Sequence, residues 1–481
     1  MMNNANAENE LKISTDSPAG EILITVDQPL VPPEINPKEW PRSKKWRTVA
    51  LGSTMSFISP IVSSMIAPAL PFVAADLGFI TEFEIEMALS IYVLAFAVGP
   101  LVLAPLSEVY GRRRILLISM IIFTVFNVAC GAAQSKAQML LFRFLSGFGG
   151  SAPIAICGSV VSDTFAKNEI GAAMAYYGLG IILGPALGPI MGGFLTQGLS
   201  WRWLFYIVSI ISAVIWIAIF FLFPETYAPY LNYQERRRVD KIAHVQLRKP
   251  NVLSVLRDAI VRPFVLLFTQ PIAQAIAIFI AFVYGVLYIV LTTFSALYTS
   301  KYGEATQIST LHYFSLGLGF LIANRFSGTM LDSVSVYMQK RYNTPHKPEY
   351  RLVLVMPGIF LLPVGLFIYG WAAENTVHWI VPDIGIMFFT ISVGLSFQAC
   401  NLYTVDVYNR YAASALAATT ALRSFAGFGF PLFSDSLYAR LGYGWGNSLL
   451  GFIGLVFIVP VPILFYIYGE RIRARSKFAV G

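Results

Sequence analysis

The chain has 481 residues, of which 56% are hydrophobic and only 12% are charged, and its mean hydropathy is +0.64. Soluble domains average about 45–50% apolar and about 25% charged residues, so this composition excludes a water-soluble globular protein and predicts one embedded in a lipid bilayer. The net charge of +8 could indicate nucleic-acid binding, and the positions of the charges along the chain must decide that question.

Residues 1–47 are polar, contain six prolines and lack the apolar core of a signal peptide, so we predict a disordered cytosolic tail. Apolar runs of about 20 residues follow, which is the length that an α-helix needs to cross a bilayer and about twice that of a barrel strand. They predict spans 1 to 6 at about 49–73, 86–107, 115–134, 138–161, 170–195 and 203–223, within an N-terminal six-helix half at 48–223.

Residues 224–262 are too polar to cross a bilayer and too long for a tight turn, so we predict a cytosolic central loop. Spans 7 to 12 are predicted at about 264–294, 307–327, 352–373, 378–401, 412–436 and 447–469, within a C-terminal six-helix half at 263–470. Residues 471–481 form a predicted cytosolic tail. The predicted fold class is therefore an all-α membrane protein with twelve transmembrane helices in two halves of six.

The lysines and arginines predict the orientation of these spans. Of 34 such residues, 27 lie in the tails and in the loops on one side, whereas four lie in the opposite loops: Lys136, Arg202, Lys301 and Arg440. Positively charged loops stay in the cytosol, so both termini are predicted to be cytosolic. The excess of positive charge is thus explained by topology, and the bilayer rather than a nucleic acid is the expected partner.

Residue types that hold metals or cofactors are sparse. The chain has four histidines without a Cys/His cluster and no Gly-rich phosphate loop, so we expect no metal, no cofactor and no bound ATP. Its cysteines, Cys130, Cys157 and Cys400, lie in apolar runs, as small hydrophobic side chains do. Two sets of six helices are typical of transporters whose substrate path opens to one face at a time, although topology alone also allows a receptor or a membrane enzyme.

The loop between spans 2 and 3 reads "APLSEVYGRRRILL" at 104–117. Glu108 closes span 2, Gly111 allows a tight turn, and Arg112, Arg113 and Arg114 lie at the cytosolic surface. This pattern resembles the loop motif of the major facilitator superfamily, Gly-x-Leu-Ala-Asp-Arg-x-Gly-Arg-Lys. The departures from that motif are Ala104, Ser107, Glu108, Val109 and Arg113. A degenerate second copy, "GTMLD" at 328–332, supports an internal duplication.

Two further stretches resemble motifs of the same superfamily. "RFLSGFGGS" at 143–151 resembles the motif of span 4, in which an arginine precedes a glycine-rich face. "GLGIILGPALGPIMGGF" at 178–194 resembles the span 5 motif of the antiporters, through Gly180, Gly184, Pro185 and Gly188, with Pro189 where the last glycine is usual.

Glycines recur every four residues in span 5, at Gly180, Gly184, Gly188 and Gly192. This spacing predicts a smooth stripe against which another helix packs at close range, while the prolines supply a bend. We expect such packing at the interface between the halves, where Gly317 and Gly319 of span 8 offer a partner surface. A rigid packing seam in a static bundle is the alternative.

Longer stretches are similar to the fungal twelve-helix drug:proton antiporters. They are "WRWLF" at 201–205, "PETYAP" at 224–229, "NLYTVDVYNRYAASALAATTALRSFAGFGFPLF" at 401–433 and "YGERIRARSKF" at 468–478, and the resemblance extends from about residue 36 to the end. It implies a monomeric, non-enzymatic exporter of small amphiphilic organic molecules such as drugs, toxins or secondary metabolites, in exchange for protons. The plasma membrane is the expected location and the vacuolar membrane an alternative.

Charged residues inside the spans are the candidates for transport and proton coupling: Arg143, Glu108, Asp383 and Arg423. The two acids can titrate, and Arg143 could bias a nearby carboxylate toward its ionised form. The alternatives are arginines that only cap backbone carbonyls, and an Asp383 that lies in interfacial water. We also predict that Glu108 accepts hydrogen bonds from the amides at 412–414, as a latch that closes the cytosolic side.

Two deep arginines against one deep acid favour a neutral or anionic substrate. A polyamine or other cation exporter, and a membrane receptor that transports nothing, remain the alternative functions. A membrane enzyme would need a cluster of catalytic residues, which the sequence does not offer.

Overall fold

The computed structural model describes residues 36–165, 169–234, 252–343, 347–353, 355–474, 476 and 478, and the regular structure within these ranges is helical. The first six long helices are α1 (Arg42–Leu77), α2 (Glu82–Tyr110), α3 (Arg112–Gly131), α4 (Lys136–Thr164), α5 (Ile170–Gly198) and α6 (Arg202–Leu222). α1 is interrupted after Ser64 and resumes at Leu70. These helices coincide with the predicted spans 1 to 6 and extend several of them by a turn or more.

The second set comprises α7 (Pro271–Ser300), α8 (Tyr313–Tyr342), α9 (Leu361–Glu374) and α10 (Ile380–Tyr408), followed by α11 at 412–441 and α12 at 443–473. Short helices precede α8 and α9, at Thr306–Leu311 and Val355–Ile359. Gly442, with a φ of 68°, turns the chain between α11 and α12. In the described part of the chain, the predicted twelve helices in two sets of six are therefore confirmed.

Several helices of the second set are broken. α11 runs from Ala412 to Gly429, passes through a 3-10 turn at Pro431–Phe433 and then continues. α12 contains a π-helical turn at Gly454–Ile458. Among the described residues, nine helical stretches are long and apolar enough to cross a membrane, and the last of them, Ala412–Arg473, holds both α11 and α12.

An amphipathic helix, Val252–Thr269, precedes α7 and corrects the predicted start of span 7. Gln270 is extended (φ −110°, ψ 109°) and Pro271 opens α7, so residues 264–269 belong to the preceding helix. Proline suits the first helical position because its missing N–H has no partner there in any case. This helix packs against α2 and α11 and leaves Val261, Val265 and Phe268 exposed.

The two ends of the helix bundle are distinguished by the chain segments that lie there. The end at which α1 begins and α12 finishes is the terminal end, and the opposite end is the distal end.

α1 begins at Arg42, inside the predicted tail. Trp40 lies just before this helix, and Nζ of Lys44 is 3.9 Å from the centre of the Trp40 ring. Residues 1–35 of that tail and residues 235–251 of the predicted central loop lie outside the described residues.

The two sets of six meet along two seams, where α2 packs against α11 and α5 packs against α8. α2 and α8 occupy equivalent places in the two sets of six, and so do α5 and α11. The two seams are therefore equivalent under the pseudo-twofold relation between the halves. Within the sets, α4 packs against α2 and α3, α1 against α5, α10 against α8 and α9, and α7 against α11. The space between the two seams is therefore lined by both halves.

Candidate functional site

The turn between α2 and α3 consists of Gly111, whose φ of 91° lies in the region that favours glycine. A Cβ added to Gly111 would strike the carboxylate of Glu225 and lie 2.9 Å from Cε1 of Tyr230. Glycine is therefore required at position 111, as predicted, for two reasons: the backbone angle of the turn and the close approach of the segment after α6.

Glu225 belongs to the "PETYAP" segment and closes the start of α3. Its Oε1 accepts a hydrogen bond from the backbone N–H of Arg112 (2.9 Å), and its Oε2 accepts one from that of Arg113 (3.1 Å). A carboxylate at a helix N-terminus satisfies free amides and interacts favourably with the helix dipole. Glu225 thus ties α6 to α3, a role that the sequence alone did not reveal.

The Arg112 side chain is buried beside this turn and joins three helices. Its Nε donates to Oδ2 of Asp163 on α4 (3.3 Å), and its Nη1 donates to Oγ of Ser107 on α2 (2.8 Å). The guanidinium also lies 4.7 Å from the ring centre of Tyr227. Burial, and then the nearby carboxylate of Glu108, raise the pKa of Tyr227, so this ring stays neutral under the guanidinium.

Glu108 is half-exposed (51% of its side chain), and its partner is Arg112, with 3.8 Å between Oε1 and Nη1. Within the described residues, Glu108 forms no hydrogen bond with the amides at 412–414, so the predicted latch is not made in this conformation. Arg113 instead donates from Nη2 to the carbonyl of Phe220 on α6. In the degenerate second copy, the surroundings of Gly328 and the side chain of Asp332 lie outside what the structure describes.

The glycine stripe of α5 faces α1, and this corrects the predicted partner in span 8. A Cβ on Gly180 would lie 3.1 Å from Cβ of Phe57, and one on Gly184 only 2.6 Å from Cβ of Pro60. Gly188 meets the carbonyl of Ile61 at 2.6 Å, and Gly192 approaches the backbone of Met65. Gly317 of α8 meets α5 at Ala186 instead, and Gly319 faces α10, so the stripe lies within the first half.

Pro185 and Pro189 both lie inside α5, which continues unbroken from Ile170 to Gly198. Each proline removes one backbone donor, and the missing bonds are tolerated because the helix packs closely on α1. These contacts place the stripe at a packing seam inside the first half, and its part in transport stays a prediction.

Arg143 is fully buried on α4, and all of its contacts are to backbone or rings. Its guanidinium donates to four carbonyls: Ala88 (3.1 Å), Val62 (2.9 Å), Ser63 (3.4 Å) and Leu89 (3.3 Å). The centre of the Tyr92 ring lies 4.7 Å from the guanidinium carbon. Among the described residues no carboxylate bonds to Arg143, so its contacts favour the capping alternative, and its role in coupling stays a prediction.

Arg423 lies half-buried in the middle of α11 and has a different environment. Its guanidinium carbon lies 4.9 Å from the ring centre of Tyr284 on α7 and 5.5 Å from that of Phe397 on α10. Its Nε is buried without a hydrogen-bond partner, and within the described chain no carboxylate pairs with it. One turn away, a Cβ on Gly427 would lie 3.1 Å from Cγ1 of Val93 on α2, which places Arg423 beside the seam between the halves.

Asp383 lies in the first turn of α10, near the distal end, and is buried rather than in open water. Its Oδ2 lies 2.7 Å from Nδ1 of His312, and its Oδ1 accepts a hydrogen bond from the Tyr298 hydroxyl (2.9 Å). Nε2 of His312 lies 3.0 Å from Oε2 of Glu304. The alternative of an acid exposed to interfacial water therefore does not describe this conformation.

Three close contacts between the two sets of helices lie between the middle of the bundle and its distal end. The Tyr288 hydroxyl on α7 donates to Oγ of Ser63 on α1 (3.3 Å), and a Cβ on Gly317 would lie 3.2 Å from Cβ of Ala186. Thr310 packs against Gly193 of α5 so closely that a Cβ there would lie 2.5 Å from its Cγ2. We call this arrangement the distal-closed conformation.

The sequence prediction missed Glu225, Asp163, His312 and Glu304. Most of these residues have partners that are distant in the chain: 113 positions separate Glu225 from Arg112 and 71 separate His312 from Asp383, whereas Glu304 and His312 are eight apart. Of these four residues, only Glu225 lies in a stretch from which the sequence predicted a family, "PETYAP" at 224–229. The cysteines at 130, 157 and 400 are free and buried, and among the described residues no three His, Cys, Asp or Glu side chains are arranged so that they could hold a metal ion.

Comparisons with known proteins point to one family. The family model of the Major Facilitator Superfamily matches residues 52–431. The chain is 41% identical over 464 residues to "Efflux pump vrtL" of Penicillium aethiopicum, with 95% of this chain and 92% of the relative covered. It is 40% identical over 459 residues to "Efflux pump radE" of Floropilus chiversii, with 92% and 84% covered.

The fold agrees with solved structures at low sequence identity. The partially occluded inward-open conformation of the xylose transporter XylE from E. coli superposes with a TM-score of 0.65 at 12% identity. The match covers 89% of this chain and 98% of that one. At this identity the similarity concerns the fold alone, and it confirms the predicted arrangement of twelve transmembrane helices.

Proposed function

This chain belongs to the major facilitator superfamily, which makes it a transporter rather than an enzyme, and we propose that it exports small amphiphilic organic molecules in exchange for protons. The observation that carries export is its similarity, across 95% and 92% of its length, to two fungal relatives whose names describe efflux pumps. Drugs, toxins and secondary metabolites are the proposed substrates.

Arg423 supports a neutral or anionic substrate. A guanidinium beside the seam, without a described carboxylate partner, places a positive charge next to the space between the halves. The guanidinium carbon lies 4.9 Å and 5.5 Å from the ring centres of Tyr284 and Phe397, and a guanidinium held against aromatic rings can still donate hydrogen bonds from its edge. A planar molecule with a carboxylate, phenolate or carbonyl edge matches both properties.

Exchange for protons requires a group that titrates within the membrane, and Asp383 is the proposed acid. It is buried and hydrogen-bonded near the distal end, whereas Glu108 is half-exposed at the terminal end. Arg143 would act, under this proposal, by shaping α1 and α2 through its four carbonyl contacts. Glu108 remains the proposed latch of the opposite conformation.

We place the protein in the plasma membrane as a monomer, with the terminal end in the cytosol. The distribution of lysine and arginine supports this orientation, since 27 of 34 lie in the loops and tails of that end. The buried Arg112 cluster and the amphipathic helix then lie at the cytosolic surface.

The proposal is tested by efflux from a yeast strain that lacks its own pumps, with an acidic aromatic amphiphile, a neutral one and a polyamine supplied in parallel. We expect ATP-independent efflux of the first two, which a protonophore abolishes. Efflux of the polyamine alone would support the cation exporter instead. Binding without any movement of these compounds would support the receptor.

Substitution of Arg423 distinguishes a contact with the charge of the substrate from a general loss of transport activity. We expect Arg423→Gln to slow efflux of the acidic amphiphile about tenfold or more, because a charge-assisted hydrogen bond contributes roughly 1.5–3 kcal/mol. The neutral amphiphile should change much less, and Arg423→Lys should be intermediate. Arg440→Gln, on an exposed side chain near the distal end of α11, is the control. Equal slowing of both compounds by Arg423→Gln would contradict the assigned contact.

A further inference from the structure

His312 lies between two carboxylates just before α8. Its Nδ1 is 2.7 Å from Oδ2 of Asp383, and its Nε2 is 3.0 Å from Oε2 of Glu304. The imidazole ring stacks on the Tyr298 ring with 3.6 Å between centres and 2° between planes. Both ring nitrogens are therefore at hydrogen-bonding distance from an acid, in an orientation that the stacked tyrosine fixes.

This geometry needs one more proton than a neutral imidazole carries. A neutral imidazole has one N–H, so its second nitrogen would face a carboxylate oxygen with two lone pairs in opposition. Adding one proton, to the ring or to one of the carboxyl groups, converts that contact into a second hydrogen bond. The arrangement of His312 with Asp383 and Glu304 is thus complete only when the cluster holds that proton.

The surroundings of the cluster contain few other charges. The exposed fractions of the His312, Asp383 and Glu304 side chains are 7%, 12% and 19%, so Glu304 forms the wetter edge. Tyr298 faces it from α7, Tyr302 from the loop after α7, and Trp379 from the loop before α10.

The cation closest along the chain, Lys301, pairs with Glu374 at 3.5 Å. His378 is exposed, and its ring lies tilted against that of Trp379, with 5.2 Å between centres.

The cluster is connected to the contact between the halves. Glu304 and His312 flank the short helix Thr306–Leu311, which packs against α5 through Thr310 and Gly193. Protonated His312 bonds the end of this helix to Asp383 on α10 and its beginning to Glu304. Loss of the proton removes one of those two bonds and frees the helix that contacts α5.

We propose that Glu304, His312 and Asp383 form a proton-binding site whose occupancy stabilises the distal-closed conformation. The proton enters from the distal side past Glu304 and is held as imidazolium between the two carboxylates. This site rests on the proposed exchange for protons and names the groups that take up the proton: His312 and Glu304 together with Asp383. Acid on the distal side then returns an empty transporter to the state that opens at the terminal end.

The test measures distal closure directly, in purified full-length protein without substrate. Spin labels at Leu199→Cys and Ile308→Cys report the distance between the end of α5 and the short helix, at positions that are 45% and 54% exposed. The native cysteines are buried and compete little for the label. As the pH falls through the range of a histidine, about 8 to 5, we expect the short-distance population to rise.

Three variants decide whether the cluster causes this response. H312Q should remove the pH dependence, whereas H378Q, which changes the exposed neighbouring histidine, should retain it. E304Q removes one of two stabilising carboxylates and should move the midpoint about one pH unit lower. An unaltered response in H312Q, or an unmoved midpoint in E304Q, would overturn the proposal.

E304Q also protects the test against failure of H312Q to fold, since its side chain lies at the wet edge of the cluster. Because no substrate is present, the outcome is independent of what the protein exports. Absence of efflux with a normal pH response would count against the proposed function and leave the proton site intact. Protonophore-sensitive efflux without a pH response at these labels would count against the proton site and leave the proposed function intact.

Discussion

At the scale of single residues, Arg143 and Arg423 show two ways of holding a guanidinium inside a membrane. Arg143 donates to four backbone carbonyls and has no exposed surface. Arg423 has two aromatic rings and an unpartnered Nε beside the seam. A buried donor without a partner costs roughly 1–3 kcal/mol, so Arg423 is the one whose placement suggests a ligand.

Substitution of Arg143 should destabilise the protein before it alters coupling. Arg143→Ala leaves up to four carbonyls of α1 and α2 without donors, and we expect a loss of about 2–5 kcal/mol; Arg143→Lys, with fewer donors and no planar fork, should lose less. Thermal unfolding of the purified protein measures this loss, with the exposed Arg440→Ala as control. If Arg143→Ala instead reaches the membrane, binds substrate and loses only the pH dependence of export, the coupling prediction is supported.

The sequence was informative about residues whose type is unusual for their position. A glycine between two helices, an arginine in an apolar run and an aspartate at the start of span 10 all identified positions with close contacts in the structure. Their partners could not be predicted, because Glu225, Glu304 and His312 are ordinary residues for polar segments. What makes them important is proximity, which depends on helices far apart in the chain.

At the scale of helices, α5 and α1 pack closely along the glycine stripe. Four glycines in steps of four bring the α5 backbone against Phe57, Pro60, Ile61 and Met65. The spacing in the sequence was enough to predict the stripe and its close contact. It could not identify the partner, because any helix with a smooth face could pack there, and the structure selects α1 over α8.

Gly184→Val should block transport, and Gly178→Val provides a matched control on the same helix. A Cβ at Gly184 would lie 2.6 Å from Cβ of Pro60, whereas one at Gly178 has no neighbour within 4 Å. A branched side chain therefore forces α1 and α5 apart only at Gly184. We expect at least a tenfold loss of efflux for Gly184→Val at matched surface expression and near-normal efflux for Gly178→Val. Full efflux by both would show that the stripe has no part in the mechanism.

At the scale of the whole molecule, the distal-closed conformation explains why Glu108 is half-exposed. The close contacts between the halves lie between the middle of the bundle and its distal end, and the latch partner of Glu108 at 412–414 is not engaged. The latch stays a prediction, and we assign it to the opposite conformation, in which the terminal end would close. A negative side chain at a helix start would then stabilise that closed end by about 0.3–1 kcal/mol.

Glu108→Gln should accordingly shift the population further toward the terminal-open state. Spin labels at Tyr110→Cys and Ala413→Cys, both exposed, report the separation of α2 and α11 at that end. We expect the long-distance population to grow by about two- to fivefold relative to the unsubstituted protein. Glu169→Gln, an exposed acid at the same end, should leave the distances unchanged. Identical distance distributions in the unsubstituted protein and in both variants would contradict the predicted latch.

The two halves also differ in the continuity of their helices, and this difference has a mechanical consequence. In the described part of the first half, α2 to α6 run without interruption, and only α1 is broken. In the second half, Phe360 separates α9 from the short helix Val355–Ile359, α11 passes through the turn at Pro431–Phe433, and α12 carries a π-helical turn at Gly454–Ile458. Breaks of these kinds are where helices bend. The second half can therefore bend at these interruptions in α11 and α12, whereas α2, α4 and α5 of the first half can bend at the prolines inside them.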